Sequence, residues 1–545
     1  MKKAKVNHWE EWLEEIDEAN IWNAAKFISS PPSDTAKAHI PTLQVKDLQT
    51  KHILREAITN EDKGALLHKT FFPPANPNLV QPNNDYVYPQ PKWTMLTITN
   101  DLISRMIDKL KPYKATRKGT VPNSVLINAK QLLVPHIGPL FRATQLINYY
   151  PPDWALTKTL VLKNPGKPDY SSQSAWHPIV LSNGLARLLN ACMMNIVVLT
   201  TKKLHILPDQ HFRARPGRTT TDLIHLLVKA VKDAWRKNQV ALVLFLDIKG
   251  AFPSVDITRL VHNMRKRGYP VEFTDWYTRR LADRQTILTF NNYQTNSFKV
   301  GNGLDQGDPF SGSGFLIYNS DLPEIADTKR SKCISMFVDD AAVIVTGKTI
   351  AETHKKLQNI MTKTNGILDW AATHNCKFGI NKFQLVDFTK KTTQHPFIKN
   401  KQIPLPQNSL KIGCHQIPSK DTAYFLGVVL DSKLNWKSQG AATLAKGQDW
   451  LSRLRCITKT TKGIHAKYIR WLYISCGSSP THALCSGYLL HTPNACRKKE
   501  QVQQVHPSLH QKNGCYTKTS CPIGNRCTQF CPHGCSQNNG QLTTF

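Results

Sequence analysis

Long apolar stretches are the clearest absence from this sequence of 545 residues. No run approaches the roughly 18 apolar residues of a membrane span, and the amino-terminal Met1-Lys-Lys-Ala-Lys lacks the apolar core of a signal peptide. A membrane-embedded or secreted protein is therefore not expected. The sequence instead favours a soluble intracellular protein, nuclear or cytoplasmic, with no membrane partner.

Acidic residues are also in short supply. Lys and Arg together number 71 against 38 Asp and Glu, which gives a formal net charge of +33. Such an excess favours a polyanionic partner whose binding depends strongly on salt, although a basic surface without a partner is the alternative. Hydrophobic residues make up 40% of the chain, which is enough to build a core over several domains.

Cysteine is sparse through the first 475 residues and concentrated after them. Cys192, Cys333, Cys376, Cys414 and Cys456 are isolated and are predicted to be reduced thiols. The other eight cysteines lie between Cys476 and Cys535. A zinc site there would use Cys521, Cys527, Cys531, His533 and Cys535, but three-residue gaps between the cysteines differ from the usual CxxC pair.

Two apolar runs in the segment 333–345 flank a pair of adjacent carboxylates, Asp339 and Asp340. The runs are rich in strand-forming residues, so the segment predicts a β-hairpin with both carboxylates at its turn. Tight hairpin turns favour Asn-Gly or Asp-Gly because they need positive φ, so an Asp-Asp turn has nothing to offset its like-charge repulsion. One interpretation is an ordinary acidic turn. The other is a turn that holds a cation.

A second acidic position favours the cation. The apolar run 241–248 predicts a buried strand with Asp247 near its end. Three carboxylates, one from this strand and two from the hairpin, can hold two Mg²⁺ ions about 4 Å apart, with Mn²⁺ as a substitute. One ion would activate an attacking hydroxyl and the other would stabilise a leaving phosphate. Asp247, Asp339 and Asp340 are therefore predicted to be metal ligands and catalytic residues for phosphoryl chemistry on nucleic acid.

Three motifs then give the chain a family resemblance. FLDIKGAF at 245–252, GLDQGDPFS at 303–311 and FVDD at 337–340 resemble, in the same order and at plausible spacing, the three palm motifs of reverse transcriptases. The flanking segments resemble the non-long-terminal-repeat retrotransposons, or long interspersed elements, particularly those of fungi. The resemblance covers roughly residues 1 to 475 of the sequence.

This resemblance implies a mixed α/β (α+β) fold, the right-hand polymerase with fingers, palm and thumb, in which helices back an antiparallel palm sheet. It divides the chain into an amino-terminal extension (1–95), fingers and palm (96–415), a thumb (416–475) and a Cys-rich tail (476–545). The tail is interpreted as frame-shifted or disordered, because the segment 481–487 can be back-translated so that a neighbouring reading frame resembles the family sequence expected there.

The activity implied by the resemblance is that of an RNA-directed DNA polymerase, a nucleotidyltransferase using two metal ions. Its partners would be an RNA template, a DNA primer and deoxynucleoside triphosphates, and further retroelement domains would be absent from this chain. Two rival functions stay open. One is a catalytically impaired remnant that still binds nucleic acid, and the weaker one is an RNA-binding protein like the group II intron maturases.

The resemblance also assigns roles outside the carboxylate set. Lys382 matches a lysine that acts as general acid near the leaving pyrophosphate, and Phe252 matches a steric gate that excludes a ribose 2′-hydroxyl; a surface lysine and a core phenylalanine are the plain alternatives. The other candidate nucleotide-binding residues are Lys163, Lys167, Ile248, Lys249, Gln306 and Gly307. The candidate nucleic-acid-binding residues are Arg213, Arg215, Arg218, Phe425, Leu426 and Gly427.

Two departures from the family pattern favour the impaired remnant. His177 stands where the family has Arg, and a mostly neutral imidazole cannot replace a permanent charge beside a triphosphate. Arg213 stands where the family usually has Gly.

Local patterns predict the elements that carry these residues. The segment 51–95 is rich in Pro and Asn and predicts a connecting region without chemistry. Apolar periodicity predicts four helices, over 6–30, from Asp222 to about Lys237, from Phe315 to Asp321 and from Thr349 to about His374. Thr220 or Thr221 is predicted to cap the second of them. Alternation of apolar and polar residues predicts one strand over 424–431.

Overall fold

The computed structural model describes residues 2–17, 20–24, 39–47, 50, 52–213, 217–326, 332–405, 408–413, 415–455, 457 and 463–477. Arg215, Cys414, Cys456 and the tail after Gly477, with its candidate zinc ligands and frame change, lie outside these residues. Within them, Cys192, Cys333 and Cys376 are free thiols, as predicted.

The described residues form a mixture of helices and strands, which confirms the mixed α/β class. The helices are α1 (Lys2–Glu14), α2 (Asn60–Phe71), α3 (Asn100–Asp108), α4 (Asn123–Asn128), α5 (Lys130–Leu146), α6 (Pro152–Ala155), α7 (Gly184–Lys203), α8 (Thr220–Arg236), α9 (Ile257–Lys266), α10 (Val271–Ala282), α11 (Ser311–Tyr318), α12 (Ile350–Thr362), α13 (Ile367–Thr373), α14 (Lys437–Arg455) and α15 (Ala466–Leu472). The strands are β1 (Leu43–Lys46), β2 (Ile53–Ala57), β3 (Leu156–Lys163), β4 (Trp176–Leu181), β5 (Val240–Lys249), β6 (Gln285–Phe290), β7 (Tyr293–Gln294), β8 (Phe298–Lys299), β9 (Lys332–Phe337), β10 (Asp340–Gly347), β11 (Lys377–Phe378), β12 (Gln384–Phe388), β13 (Thr392–Gln394), β14 (Gln402–Pro404), β15 (Ser409–Ile412), β16 (His415–Pro418), β17 (Thr422–Phe425) and β18 (Val428–Asp431).

The central sheet has the order β11-β5-β10-β9, and β12 also pairs with β5. All of these pairings are antiparallel. Strand β5 is buried continuously from Val240 to Leu246, because α8 and α12 pack against it, and its sequence is accordingly apolar without alternation. This sheet and its helices form the scaffold of the candidate active site.

A second sheet has the order β4-β3-β6-β7, with β8 also on β6. Strands β3 and β6 run parallel, and β3 and β4 run antiparallel. Ala57, Leu67 and Phe71 of the β2–α2 segment share a hydrophobic cluster with Trp176 and Leu288 of this sheet. The prediction that 51–95 is only a connecting region is therefore wrong, because a strand and a helix within it cover the second sheet.

Helix α1 packs in a separate cluster with the carboxyl-terminal helices. Leu13 and Ile16 share this cluster with Leu454 of α14 and Leu472 of α15. The periodicity predicted over 6–30 is observed only in part, since the regular helix ends at Glu14 and the segment 25–38 lies outside the described residues.

The helix predicted from Thr349 to His374 is two helices, α12 and α13. Asn365 has a φ of +57°, and a Cβ on Gly366 would lie 2.6 Å from the carbonyl oxygen of Lys363. The chain therefore turns there instead of continuing as a helix. Two other boundaries also differ: α8 begins at Thr220 with Thr219 as its cap in a capping box with Asp222, and α11 begins at Ser311.

Helix α7 comes closer to a membrane span than the sequence predicts. It is the one helix among the described residues that is long and apolar enough to cross a membrane. Just over half of it is buried in the core of the protein, and core helices pass the same test, so it is weak support for a membrane association.

The single strand predicted over 424–431 is a hairpin instead. Strands β17 and β18 pair antiparallel, with Phe425 opposite Val428. The two turn residues, Leu426 and Gly427, have φ angles of +48° and +86°. Positive φ at both positions is the geometry of a two-residue hairpin turn, and alternation along the sequence does not reveal it because only one of the two residues is Gly.

Candidate active site

The pairing of β5 with β10 brings the predicted carboxylates to one end of the central sheet. Asp340 lies directly opposite Asp247 in the antiparallel register, and Asp340 also pairs with Phe337 across the β9–β10 hairpin. The turn residues are therefore Val338 and Asp339, whereas Asp340 already belongs to β10. The predicted hairpin is correct, but its turn lies one residue earlier than predicted.

This turn is held in an unusual backbone conformation. Val338 has a φ of +63°, which is costly for a β-branched residue. The side-chain amide of buried Asn319 donates to the carbonyl of Val338 at 2.8 Å. The backbone N–H of Ile248 donates to the carbonyl of Asp339 at 3.2 Å. These bonds fix the turn, and with it the position of Asp339 beside Asp247 and Asp340.

Burial and mutual repulsion raise the pKa of both carboxyl groups of the hairpin. For Asp340, burial is the largest cause, followed by the charges of Asp339 and Asp247, and its pKa rises to about 6. The pKa of Asp339 is also raised, mainly by burial and also by Asp247, with Arg213 and Lys382 acting in the opposite direction. Both carboxylates thus lack enough positive charge around them in the protein alone.

Lys382 directly contacts one of the three clustered carboxylates, that of Asp247. Its Nζ donates to Asp247 Oδ2 at 2.6 Å. The backbone N–H of Gly379 donates to the carbonyl of Asp247 at 3.0 Å, which ties the Lys382 turn to the end of β5. A Cβ on Gly379 would lie 3.2 Å from Lys249 Cε and 3.4 Å from Asp247 Oδ2, so Gly allows this close approach.

The chemistry of this donor set suits a divalent cation. Carboxylate oxygens are the ligands that Mg²⁺ and Mn²⁺ prefer, and the raised pKa values indicate a place where a cation would relieve repulsion. Within the described residues, however, no three metal-ligating side chains are gathered closely enough to form a ready coordination site. Lys382 holds one oxygen of Asp247, so a metal would have to displace or share it.

The predicted arginines differ in their surroundings. Arg213 is exposed, its guanidinium lies 5.5 Å from the ring centroid of Phe337, and its charge lowers the pKa of Asp339. Arg218 donates to both the carbonyl and the carboxylate of Asp209. Arg213 therefore lies at the carboxylate group, whereas Arg218 shapes the loop before α8.

The loop that carries Gln306 and Gly307 is attached to the second sheet. The N–H of Val180 in β4 donates to the carbonyl of Gln306 at 2.8 Å. Gly307 has a φ of +113°, and a Cβ there would lie 3.1 Å from the carbonyl oxygen of Val180. The side-chain Oε1 of Gln306 is buried without a hydrogen-bond partner among the described residues. This unused acceptor is available to a ligand.

A buried ion-pair network holds the same loop from behind, and sequence reasoning missed it. Arg284 donates to Asp305 at 2.9 Å and to the carbonyl of Gly303 at 2.8 Å. Arg280 lies 2.8 Å from Asp308, which also accepts from the side-chain amide of Asn190 at 2.7 Å. All four charged side chains are less than a tenth exposed. The acidic residues on either side of Gln306 and Gly307 are thus each neutralised by an arginine. The only sequence signal was two carboxylates inside an otherwise uncharged, Gly-rich motif.

Phe252 lies where the chain passes from β5 towards α9. Its ring packs 5.6 Å from that of Phe315 in α11, and its carbonyl accepts from the N–H of Leu304 at 2.8 Å. Its side chain is only partly buried. Ile248 is buried and Lys249 is exposed, so of these two only Lys249 presents its side chain to solvent.

The remaining candidates divide between the sheets. Lys163 ends β3 with its Nζ 4.0 Å from the ring centroid of Tyr170, and Lys167 is exposed in the following turn. His177 is exposed on β4 opposite Leu162, and partial burial of its ring lowers its pKa, so it is neutral at pH 7. Phe425 is buried against Phe245 at 4.7 Å, which leaves Leu426 and Gly427 as the accessible part of that hairpin.

Comparison with known proteins identifies the class to which this arrangement belongs. A sequence model of the reverse transcriptase family, described as RNA-dependent DNA polymerase, matches residues 163–430. This interval contains β4 to β17, most of β18 and all three carboxylates. Residues 163–430 of this chain therefore match a reverse transcriptase domain.

Curated relatives specify the resemblance further. The chain is 22% identical over 384 residues to the probable RNA-directed DNA polymerase from transposon BS of Drosophila melanogaster, covering 69% of this chain and 40% of that protein. It is 24% identical over 335 residues to the probable RNA-directed DNA polymerase from transposon X-element of the same organism, covering 61% of this chain and 35% of that protein. It is 22% identical over 344 residues to the RNA-directed DNA polymerase from mobile element jockey, also of that organism, covering 62% of this chain and 36% of that protein. The chain thus spans 35–40% of the length of these relatives. The expected kinship with non-long-terminal-repeat retrotransposons is confirmed, and the fungal affinity stays a prediction.

Proposed function

We propose that this chain is an RNA-directed DNA polymerase that adds deoxynucleotides to the 3′ end of a DNA primer on an RNA template. In this proposal the central sheet with α8 and α12 is the palm, the second sheet with α3 to α7 forms the fingers, and β17 to α15 form the thumb. We retain the domain boundaries predicted from sequence, except that 40–71 belongs structurally with the second sheet.

The observation that carries the proposal is the register of β5 and β10. It sets Asp247 opposite Asp340 with Asp339 in the adjoining turn, and the raised pKa values of the hairpin carboxyl groups indicate a demand for cations. Asp247, Asp339 and Asp340 would hold the divalent metal ions. When bound, these ions would stabilise negative charge on the phosphates during nucleotidyl transfer.

The chain's own residues would perform the other tasks. Lys382, next to the carboxylates, would pass from Asp247 to the leaving pyrophosphate and donate a proton there. Phe252 would exclude a ribose 2′-hydroxyl, and Gln306 would support the nucleotide sugar or the template base through its unused Oε1. Lys163, Lys167 and Lys249 would bind phosphates, and Arg213 and Leu426 would contact nucleic acid. The protein would act in the nucleus or the cytoplasm.

Primer extension tests the proposal. The full chain should extend a DNA primer annealed to RNA in the presence of Mg²⁺, and Asp340→Asn should lower the rate at least about 100-fold while affinity for the primer–template stays within a few-fold. Asp275→Asn is the matched control, because Asp275 is an exposed carboxylate on α10 outside the site. Extension that survives Asp340→Asn would refute the metal assignment.

The impaired-remnant alternative has one supporting observation, the neutral His177 on β4. Binding of primer–template without extension would favour it. Extension gained by His177→Arg together with Arg213→Gly would then locate the impairment in these two departures, whereas no gain would show that they are tolerated variation.

A further inference from the structure

The segment 389–420 between β12 and β17 is basic without any opposing charge of its own. It contains six lysines and no Asp, Glu or Arg over 32 residues. The bordering carboxylate on the amino-terminal side, Asp387, is buried and paired with His354 at 3.2 Å. The segment therefore projects net positive charge, which suits a polyanion.

Strands β13 and β14 form an ordered hairpin within this segment. Thr393 lies opposite Ile403, and the N–H of His395 donates to the carbonyl of Lys401 at 2.7 Å. His395 Nδ1 accepts from the N–H groups of Phe397 and Ile398 at 3.1 and 3.2 Å. The imidazole thus fixes the shape of the tip, and with it the position of the two apolar side chains.

The tip presents an aromatic ring to solvent. Phe397 is 90% exposed and Ile398 is 47% exposed, although aromatic side chains are ordinarily buried. An exposed ring held in a defined position is a surface on which a nucleic-acid base can stack. Exposure of so much apolar surface to water is unfavourable, so a partner that covers Phe397 would gain binding free energy from its burial.

The lysines of the hairpin divide into two pairs. At its base, Lys390 Nζ lies 4.7 Å from the ring centroid of Trp235, and Lys391 donates to the carbonyl of Lys348 at 2.8 Å. At its tip, Lys399 and Lys401 are exposed and make no ion pair or side-chain hydrogen bond with the described part of the chain. Lys390 and Lys391 therefore anchor the hairpin at its base. Lys399 and Lys401 flank Phe397 at the tip, where their charge is available for phosphates.

This tip is separate from the carboxylate site. Strand β12 pairs with β5 so that Gln384 faces Phe245 and Phe388 faces Ala241. The hairpin therefore leaves the central sheet at the end opposite Asp247, about 20 Å from it along β5. A nucleic-acid strand bound at the tip would therefore lie away from a primer terminus at the carboxylates.

We propose that the β13–β14 tip, made of Phe397, Ile398, Lys399 and Lys401, is a second nucleic-acid site that binds single-stranded RNA. A base stacks on Phe397 while Lys399 and Lys401 neutralise neighbouring phosphates. The choice of RNA rests on the proposed function, in which RNA is the template and its unpaired part extends beyond the active site.

Fluorescence anisotropy on the full chain tests this site, with a labelled 20-nucleotide single-stranded RNA as the probe. Phe397→Ala should weaken binding about 5- to 10-fold. Lys399→Gln with Lys401→Gln should reduce the slope of log affinity against log salt by about 1.4, because about 0.7 counterion is released per phosphate neutralised on a single strand. Matched controls are Tyr113→Ala, which removes another ring that is 96% exposed, and Lys202→Gln with Lys203→Gln at the exposed end of α7.

The outcomes separate this proposal from the polymerase proposal. All variants should extend, at wild-type rates, a primer–template whose only unpaired part is a four-nucleotide template overhang, so an inactive wild-type chain would count against the polymerase alone. Unchanged RNA affinity in both tip variants, or an equal loss in the controls, would overturn the tip site. An equal loss for single-stranded DNA of the same sequence would overturn the choice of RNA.

Discussion

Replacing one active-site carboxylate should stabilise the metal-free protein while destroying its activity. The residue is Asp340, whose pKa rises from 3.8 to about 6 through burial and through the charges of Asp339 and Asp247. Because the folded protein holds this proton more tightly than the unfolded chain, folding is not penalised below about pH 4. The penalty grows as the pH rises to about 6 and is complete above that value.

The size of the penalty follows from the shift. About 2 pKa units correspond to about 3 kcal/mol at 1.36 kcal/mol per unit. The side chain is partly exposed, so solvent screening reduces this to about 1–2 kcal/mol. Asp340→Asn removes the charge and keeps the shape, and it should raise the melting temperature at pH 8 by about 1–2 °C, because an unfolding entropy of about 2.1 cal/mol/K per residue is large in a chain of this length.

The assay is thermal unfolding followed by tryptophan fluorescence, with EDTA present, at several values between pH 4.5 and pH 8. The stabilisation by Asp340→Asn should shrink towards zero as the pH falls to 4.5. In parallel samples without EDTA, added Mg²⁺ should stabilise the wild type more than the variant, because only the wild type keeps all three carboxylates. Asp247→Asn serves as the contrast, since it breaks the contact with Lys382 and should not stabilise. A variant that is destabilised at every pH would refute the reasoning.

Three further substitutions test other parts of the structure. Arg284→Met leaves the buried Asp305 with only the longer 3.9 Å contact to Arg280, and it should cost about 3–5 kcal/mol. Asp305→Leu should restore part of that loss in the double variant, whereas strictly additive losses in thermal unfolding would argue against a direct pair. Phe252→Val should increase incorporation of ribonucleotides relative to deoxynucleotides in primer extension, and an unaltered ratio would leave Phe252 a packing residue only. Leu426→Gly should stabilise by up to about 1 kcal/mol in the same unfolding assay because its φ is +48°, whereas a loss of stability would mean that its side-chain contacts outweigh the backbone strain.

Local patterns predicted the parts of the site that depend on one strand at a time. The strand ending near Asp247 and the hairpin carrying Asp339 are visible in the sequence because apolar strand-forming runs end there. The sequence does not show that the turn lies one residue earlier, because the position of the turn depends on pairing with β5 and on the hydrogen bond from Asn319 to the carbonyl of Val338.

Long-range charge pairing was beyond sequence reasoning. Arg280 and Arg284 are ordinary basic residues near the end of a helix until the fold brings them to Asp308 and Asp305. The contact of Lys382 with Asp247 likewise joins positions 135 residues apart. The break between α12 and α13 was missed because apolar periodicity continues across it, while the close approach of carbonyls to Gly366 is a property of the folded backbone.

The cluster that joins α1 to α14 and α15 affects how the protein is made. Leu13 and Leu454 belong to one small core, yet more than 400 residues separate them along the chain. During synthesis α1 emerges long before α14 and α15, so its apolar face has no partner in this core until those helices follow. Contacts of such long range slow folding, and an exposed helix is open to proteases and chaperones meanwhile. Premature termination before α15 would therefore leave α1 without part of its packing partner.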